Sequence, residues 1–226
     1  MKKILKKTIS IFLITVALIS AFTLTSCNRS YDEKEIIEVT QKLLKEAEML
    51  NLVYYGSGIE YYDNDEENGY YRQANASHLE KLGFSTIEEL KALTEKTFSD
   101  EYSSLLYSTI LSALTDDASV VSMSRYYQVY DDESGKPEHI MVYSKFTPMM
   151  KDKIEYDYGS VKVERSKKER VYAKVNATVT NSDGKSQQTV ITVTLVEEED
   201  GWKIDNPTYA NYNELRDRYD ELNNAK

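Results

Sequence analysis

The chain has 226 residues, with 38 acidic against 28 basic side chains and a formal net charge of −10. Charge of that sign repels nucleic-acid phosphates, so no nucleic acid is expected among its partners. A single cysteine cannot close a disulfide within the chain, so burial and hydrogen bonding must hold the fold.

Residues 1–26 read as a secretory signal. Lys2, Lys3, Lys6 and Lys7 form a basic start, and an uncharged apolar run of about 14 residues follows from 9 to 22. A membrane-spanning helix needs about 20 apolar residues and would have to run on through Thr25, Ser26, Asn28 and Arg29, which disfavours a spanning anchor. Leu24-Thr25-Ser26-Cys27 resembles a bacterial lipobox, in which the cysteine thiol takes a diacylglyceryl group and the signal is cut just before it. The resemblance implies an acylated Cys27, a fatty-acid anchor in the cell membrane and an extracytoplasmic location. Asn28 stands where an Asp would resemble an inner-membrane retention signal, and this leaves a one- or two-membrane envelope open.

The signal carries four lysines and no acid, so the 200 residues from Cys27 on hold 24 basic against 38 acidic side chains, a net charge of −14. That length suits one domain, expected over residues 31–226, with 27–30 as a very short linker. At about 3.5 Å per residue, Asn28 and Arg29 reach only about 10 Å, so the domain should sit almost on the membrane.

Ser30 with Glu33 forms a capping-box pattern ahead of Ile36, Ile37, Thr40, Leu43, Leu44, Ala47 and Leu50, which predicts an amphipathic helix over 30–50. Residues 52–71 are dense in tyrosine and broken by Gly56, Gly58 and an acidic run. They are expected to hold a turn or short helix and a strand at 70–73. Ser85 with Glu88 repeats the capping pattern before Ile87, Leu90, Leu93 and Phe98, and Ser99 starts a further helix carrying Tyr102, Leu105, Leu106, Ile110 and Ala113.

Strands follow. Residues 120–130 and 140–146 flank a polar loop at 131–137 and read as a hairpin. Ile154, Tyr156 and Tyr158 alternate with charged residues, and Val171, Ala173, Val175, Ala177 and Val179 alternate with polar ones, which marks a sheet with one wet face. Turns at 181–184 and 200–201 lead into strands at 187–196 and 202–204, with Trp202 in or beside the core. A last helix is expected over 212–222, with Leu215, Tyr219 and Leu222 as its apolar stripe. The fold class is therefore α+β: N-terminal helices packed against a curved antiparallel sheet, then a C-terminal helix.

Helix, short strand, helix and a meander ending in Leu195-Val196-Glu197-Glu198-Glu199-Asp200-Gly201-Trp202-Lys203-Ile204-Asp205 is similar to the nuclear transport factor 2-like superfamily, the cystatin-like cone, over residues 31–209. A narrower likeness lies in Gly69-Tyr70-Tyr71-Arg72, Ser85-Thr86-Ile87-Glu88-Glu89-Leu90-Lys91 and Thr97-Phe98-Ser99-Asp100-Glu101-Tyr102, which resemble the exported inhibitor domain of cell-wall DL-endopeptidases. The first resemblance implies a fold that hosts enzymes and binders alike. The second implies a partner in the cell envelope, an enzyme or a wall peptide.

The chemistry-bearing residues are sparse. His78 and His139 lack ligands at metal spacing and read as solvated surface histidines. Residues 63–69 suggest a calcium loop, but the glycine falls one position late and Ala74 or Asn75 stands where a bidentate Glu is wanted, so a solvated acidic loop is the better reading. A Tyr156–Asp157 acid–base pair, of the kind superfamily enzymes place inside the cone, fails on strand alternation, because the two point to opposite faces. No catalytic residue, metal site or cofactor is expected. Tyr61, Tyr62, Tyr70, Tyr71, Tyr126 and Tyr127 are the candidate binding residues, since exposed tyrosine offers flat apolar area with a hydroxyl at its tip. The expected role is a membrane-anchored, non-catalytic binding module; the alternative is a small-molecule-binding or enzymatic cone.

Overall fold

The structure, a computed structural model, describes residues 31–67, 70–111, 115–116, 120–121, 124–167 and 170–209. The expected signal, Cys27 and the helix at 212–222 lie outside the described residues. Helix α1 (Glu33–Tyr54) begins at Asp32, whose side chain accepts from the Lys34 amide, and the Ser30 expected as its cap lies outside the described residues. It runs four residues past the expected end at 50 because Val53 and Tyr54 are themselves fully buried.

Strands β1 (Tyr61–Glu67) and β2 (Tyr71–Ala74) form a hairpin. The acidic run expected as a loop is thus an edge strand. Pairing with β2 satisfies one side of its backbone, and the charges on a free edge discourage pairing with another chain. Helix α2 (Ala76–Leu82) is capped by Asn75 and closed by Gly83 at φ +81°. Helix α3 (Ile87–Thr97) starts one residue later than the Ser85–Glu88 pattern predicts. Thr86 accepts from the Glu89 amide, and the Glu89 carboxylate takes both the Ser85 amide and hydroxyl, which holds it below the usual carboxylate range. Helix α4 (Asp100–Leu106) begins at Ser99 as expected and passes into a π-helical turn, Tyr107–Leu111.

The predicted strand at 120–130 is split. Short β3 (Thr115–Asp116) and β4 (Val120–Val121) pair with each other, and β5 (Tyr126–Tyr130) joins β6 (Pro137–Tyr143). One four-stranded antiparallel sheet has the order β1-β2-β6-β5. The other has the order β10-β9-β8-β7, built from β7 (Lys153–Lys167), β8 (Arg170–Thr180), β9 (Ser186–Glu198) and β10 (Gly201–Ile204). Val171, Ala173, Val175 and Ala177 of β8 face the core with Ile191, Val193 and Leu195 of β9, as the alternation predicts. The fold is α+β.

Helix α1 packs on β7, β10 and α3, and α3 also packs on β5 and β10. The helical layer is stitched to the second sheet where Phe98 bridges Ile204 in parallel and the Ser99 amide donates to the Ile204 carbonyl at 2.9 Å. Ile204 and Lys203 are buried, while Trp202 is only half-buried beside the core, with its ring edge-on to Tyr31 at 4.8 Å. Among the described residues no helix is long and apolar enough to cross a membrane.

Candidate functional site

Two groups of tyrosines carry the polar chemistry, one inside the molecule and one outside. The inner group lies between α1, α4 and β7. On β7 the inward positions are Ile154, Tyr156 and Tyr158, and Asp157 is exposed, so no Tyr156–Asp157 pair forms. The Tyr156 hydroxyl donates to the Thr208 carbonyl at 2.7 Å, and Asn51 Nδ2 donates to Thr208 Oγ1 at 2.8 Å. The Tyr55 and Tyr102 hydroxyls meet at 3.3 Å, and Tyr209 stacks on Tyr55 at 4.2 Å. Thr94 gives its proton to the Leu90 carbonyl, so Tyr54 is the donor in the 2.7 Å bond between their hydroxyls. Tyr158 reaches Glu48 Oε2 at 2.5 Å.

Burial disfavours each phenolate and pushes these hydroxyls up, Tyr156 to about 12 and Tyr54 and Tyr102 well above the ordinary tyrosine value. At neutral pH they remain neutral donors, and none serves as a base. The residues that close this space are the protein's own, with Asn51, Tyr102 and Thr208 all buried. Ser99 and Arg170 both bond the Asp205 carboxylate, but Ser99 is the cap of α4 and accepts from the Tyr102 amide, which commits its oxygen to structure. Among the described residues no group of His, Cys, Asp or Glu could hold a metal ion.

The outer group lies on the far face of the first sheet. Tyr71 of β2 and Tyr143 of β6 are cross-strand partners with ring centroids 5.5 Å apart. Tyr70 lies 6.4 Å from Tyr143, and Tyr127 stands edge-on to Tyr71 at 4.7 Å, so four rings form one row: Tyr70, Tyr143, Tyr71, Tyr127. Met141, paired with Gln73 on one side and Tyr127 on the other, shares this face and is buried. The row is fixed from behind. The Tyr71 hydroxyl donates to the Ser124 carbonyl at 2.7 Å, and the Tyr70 carbonyl accepts from the Ser144 amide and hydroxyl at 2.8 and 2.9 Å. The Tyr70 side is nonetheless open, at 47% relative exposure.

Three of the six candidate tyrosines, Tyr70, Tyr71 and Tyr127, therefore come together. Tyr143, a further tyrosine of the same hairpin, completes the row, and the strand register sets it beside Tyr71. Tyr126 is a correction. It lies on the opposite face, 1% exposed, and its hydroxyl donates to the Val53 carbonyl at 2.7 Å and accepts from the Ile59 amide at 3.2 Å. Burial raises that hydroxyl to about 12. Tyr61 is half-buried against the core, with the Arg72 guanidinium 5.4 Å above its ring. Tyr62 is exposed at the other end of the hairpin, where its hydroxyl accepts from the Ala76 amide. His78 is also corrected: it lies half-buried within α2, and its Nδ1 accepts from the Glu60 amide at 2.8 Å. His139 lies 3.8 Å from Glu138 on β6.

The two groups are joined by a residue whose role the sequence did not signal. Arg125, at the start of β5, is buried, and it donates to the Tyr54 carbonyl at 2.6 Å and the Gly56 carbonyl at 2.8 Å. Its guanidinium lies 3.8 Å over the Phe146 ring. It closes the C-terminal end of α1, which has no basic residue in its last turn, and there a cation meets the negative end of the helix dipole. Gly58, at φ +80°, makes room for it, because a Cβ there would overlap both the guanidinium and the Tyr126 hydroxyl. Compared with known proteins, the chain matches no family model, no curated sequence and no solved structure.

Proposed function

We propose that the chain is a lipoprotein held to the membrane by acylated Cys27, whose extracytoplasmic domain works as a non-catalytic binding module through the Tyr70–Tyr143–Tyr71–Tyr127 row. The partner is a cell-envelope protein, of the class of wall enzymes that such a module restrains. The observation that carries this reading is the contrast between the two tyrosine groups. The inner hydroxyls are spent on one another and on Thr208, while the outer row, anchored from behind, leaves Tyr70 open to solvent. Rigid aromatic rings with polar tips lose little entropy on binding, which favours them at interfaces. In the same proposal the two sheets are the halves of a cone closed by α1, with the segment after β10 filling its interior.

The exposed Asp157 and the neutral inner tyrosines weigh against an acid–base enzyme. Crosslinking in native membranes tests the binding reading. Tyr70→Ala with Tyr143→Ala should lose the partner that the unchanged protein captures, and capture at full yield would refute it. Labelled fatty acid should enter the unchanged protein and not Cys27→Ser; label in the serine variant would sink the anchor.

A further inference from the structure

We propose that helix α1 and the loop between the two sheets form a second membrane contact, which docks on anionic phospholipid headgroups and lays the helix along the bilayer; this rests on the acylated Cys27 of the preceding reading. The first support is where the chain arrives. Tyr31 lies four residues after Cys27, a reach of about 14 Å at about 3.5 Å per residue, so the anchor holds the N-terminal end of α1 close to the lipid. The helix then runs 22 residues, about 33 Å. Past its first turn only Glu38, Lys42, Lys45 and Leu52 are exposed, and their spacing sets them on one stripe.

The second support is the chemistry of that stripe. Its N-terminal end is acidic, with Glu35 and Glu38 against Lys34, and from Lys42 on it is basic and apolar. Glu46 and Glu48 flank it, but their carboxylates accept from the Thr97 and Tyr158 hydroxyls. The loop brings the same chemistry to the C-terminal end of α1. The Met150 amide donates to the Tyr55 carbonyl at 2.8 Å, and a Cβ on Gly56 would lie 3.0 Å from both Met150 Cε and Leu52 Cα, so Met150 seats beside Leu52. Leu52 is 42% exposed and Met149 48%, with Lys145 and Lys151 exposed on either side of the methionines. Lys34 pairs with Glu38 and Lys153 with Glu155, while among the described residues Lys42, Lys45, Lys145 and Lys151 pair with no carboxylate. Apolar side chains ringed by lysine suit a headgroup layer, where thioether and leucine enter the acyl boundary and ammonium groups meet phosphate. The net charge of −10 opposes approach, but at a Debye length of about 8 Å the headgroups respond to the lysines nearest them. The acids beside the tether are repelled and the lysines beyond are attracted, which tips the C-terminal half of α1 onto the membrane.

The test uses the full-length lipoprotein reconstituted in vesicles of phosphatidylglycerol and phosphatidylcholine that carry nitroxide-labelled lipid. An acylated thiol cannot be alkylated, so Met149→Cys takes a fluorophore at that site alone. Val190→Cys, on the face of the second sheet turned away from the core and α1, is the control. Nitroxide should quench the probe at 149 and spare the one at 190. Lys42→Gln with Lys45→Gln, and separately Lys145→Gln with Lys151→Gln, should each lower the ratio of docked to undocked probe, about fivefold for each lysine removed. Lys136→Gln with Lys162→Gln removes the same charge elsewhere and should change nothing. Quenching at 149 should also fall in high salt and in vesicles of phosphatidylcholine alone. The proposal is overturned if the probe at 149 is quenched no more than that at 190, or if both lysine pairs quench like the unchanged protein. Fatty-acid labelling of the same protein separates the two readings. Label in a protein whose probe at 149 stays unquenched removes the second contact and leaves the anchor, and absence of label removes both.

Discussion

Arg125 is a buried cation that meets backbone carbonyls in place of a carboxylate. Burial pulls its guanidinium below the ordinary value, and its Nε is buried without a hydrogen-bond partner, yet the fork on the Tyr54 and Gly56 carbonyls and the Phe146 ring hold it. Arg125→Ala leaves those carbonyls unmatched and should cost about 3 kcal/mol in urea unfolding. Arg125→Lys should recover little, since an ammonium cannot span two acceptors as the planar fork does. Gly58→Ala should also destabilise, but by less once Arg125 is already Ala, because one of the two overlaps is gone; strictly additive losses would contradict the packing described. None of this was legible in the sequence. A charged residue before Tyr126 looks like any strand start, and its acceptors lie about 70 positions earlier.

Among the elements, caps and alternation were legible and edges were not. Ser99 caps α4 as read, and β8 keeps its apolar-in, polar-out pattern throughout, because both signals are local. Strand β1 was hidden, since seven residues rich in Asp and Glu have no apolar face to reveal them and depend on β2 for order. The tyrosine row was half legible: the rings stand out in the sequence, but which of each adjacent pair faces outward is decided by pairing, which sends Tyr126 inward and Tyr127 out. Strand β10 yields a similar reversal. Trp202 is its largest side chain, yet Ile204 is the one fully enclosed. Ile204→Ala should therefore cost about 2–5 kcal/mol and Trp202→Ala less, about 1–2 kcal/mol. Chemical denaturation showing the reverse order would misplace this strand.

Across the whole molecule, buried tyrosine hydroxyls make stability fall at high pH. The native values of Tyr126 and Tyr156, about 12 each, lie above the value of about 10 in the unfolded chain. A raised native value means that the folded state holds its proton more tightly. The contribution is therefore complete below about pH 10 and is lost as pH rises toward 12, roughly 2–3 kcal/mol for each group. The urea midpoint should fall steeply from about pH 10 upward, and Tyr126→Phe should soften that fall. A midpoint unchanged between about pH 9 and pH 11.5 would show these hydroxyls to be solvated.

The bond from Asn51 to Thr208 spans 157 positions, and that from Gln41 to Tyr158 spans 117. Among the described elements helix α1 is thus made first, and the partners that complete its packing come late in the chain. While the chain is being made, its apolar stripe has only the surroundings of a nascent chain, and an isolated helix is marginal in water. Long loops must close before β7 and β10 can cover it, which places its consolidation late in folding. A chain ending before Thr208 would keep every described strand and still leave helix α1 without the contact that closes the interior.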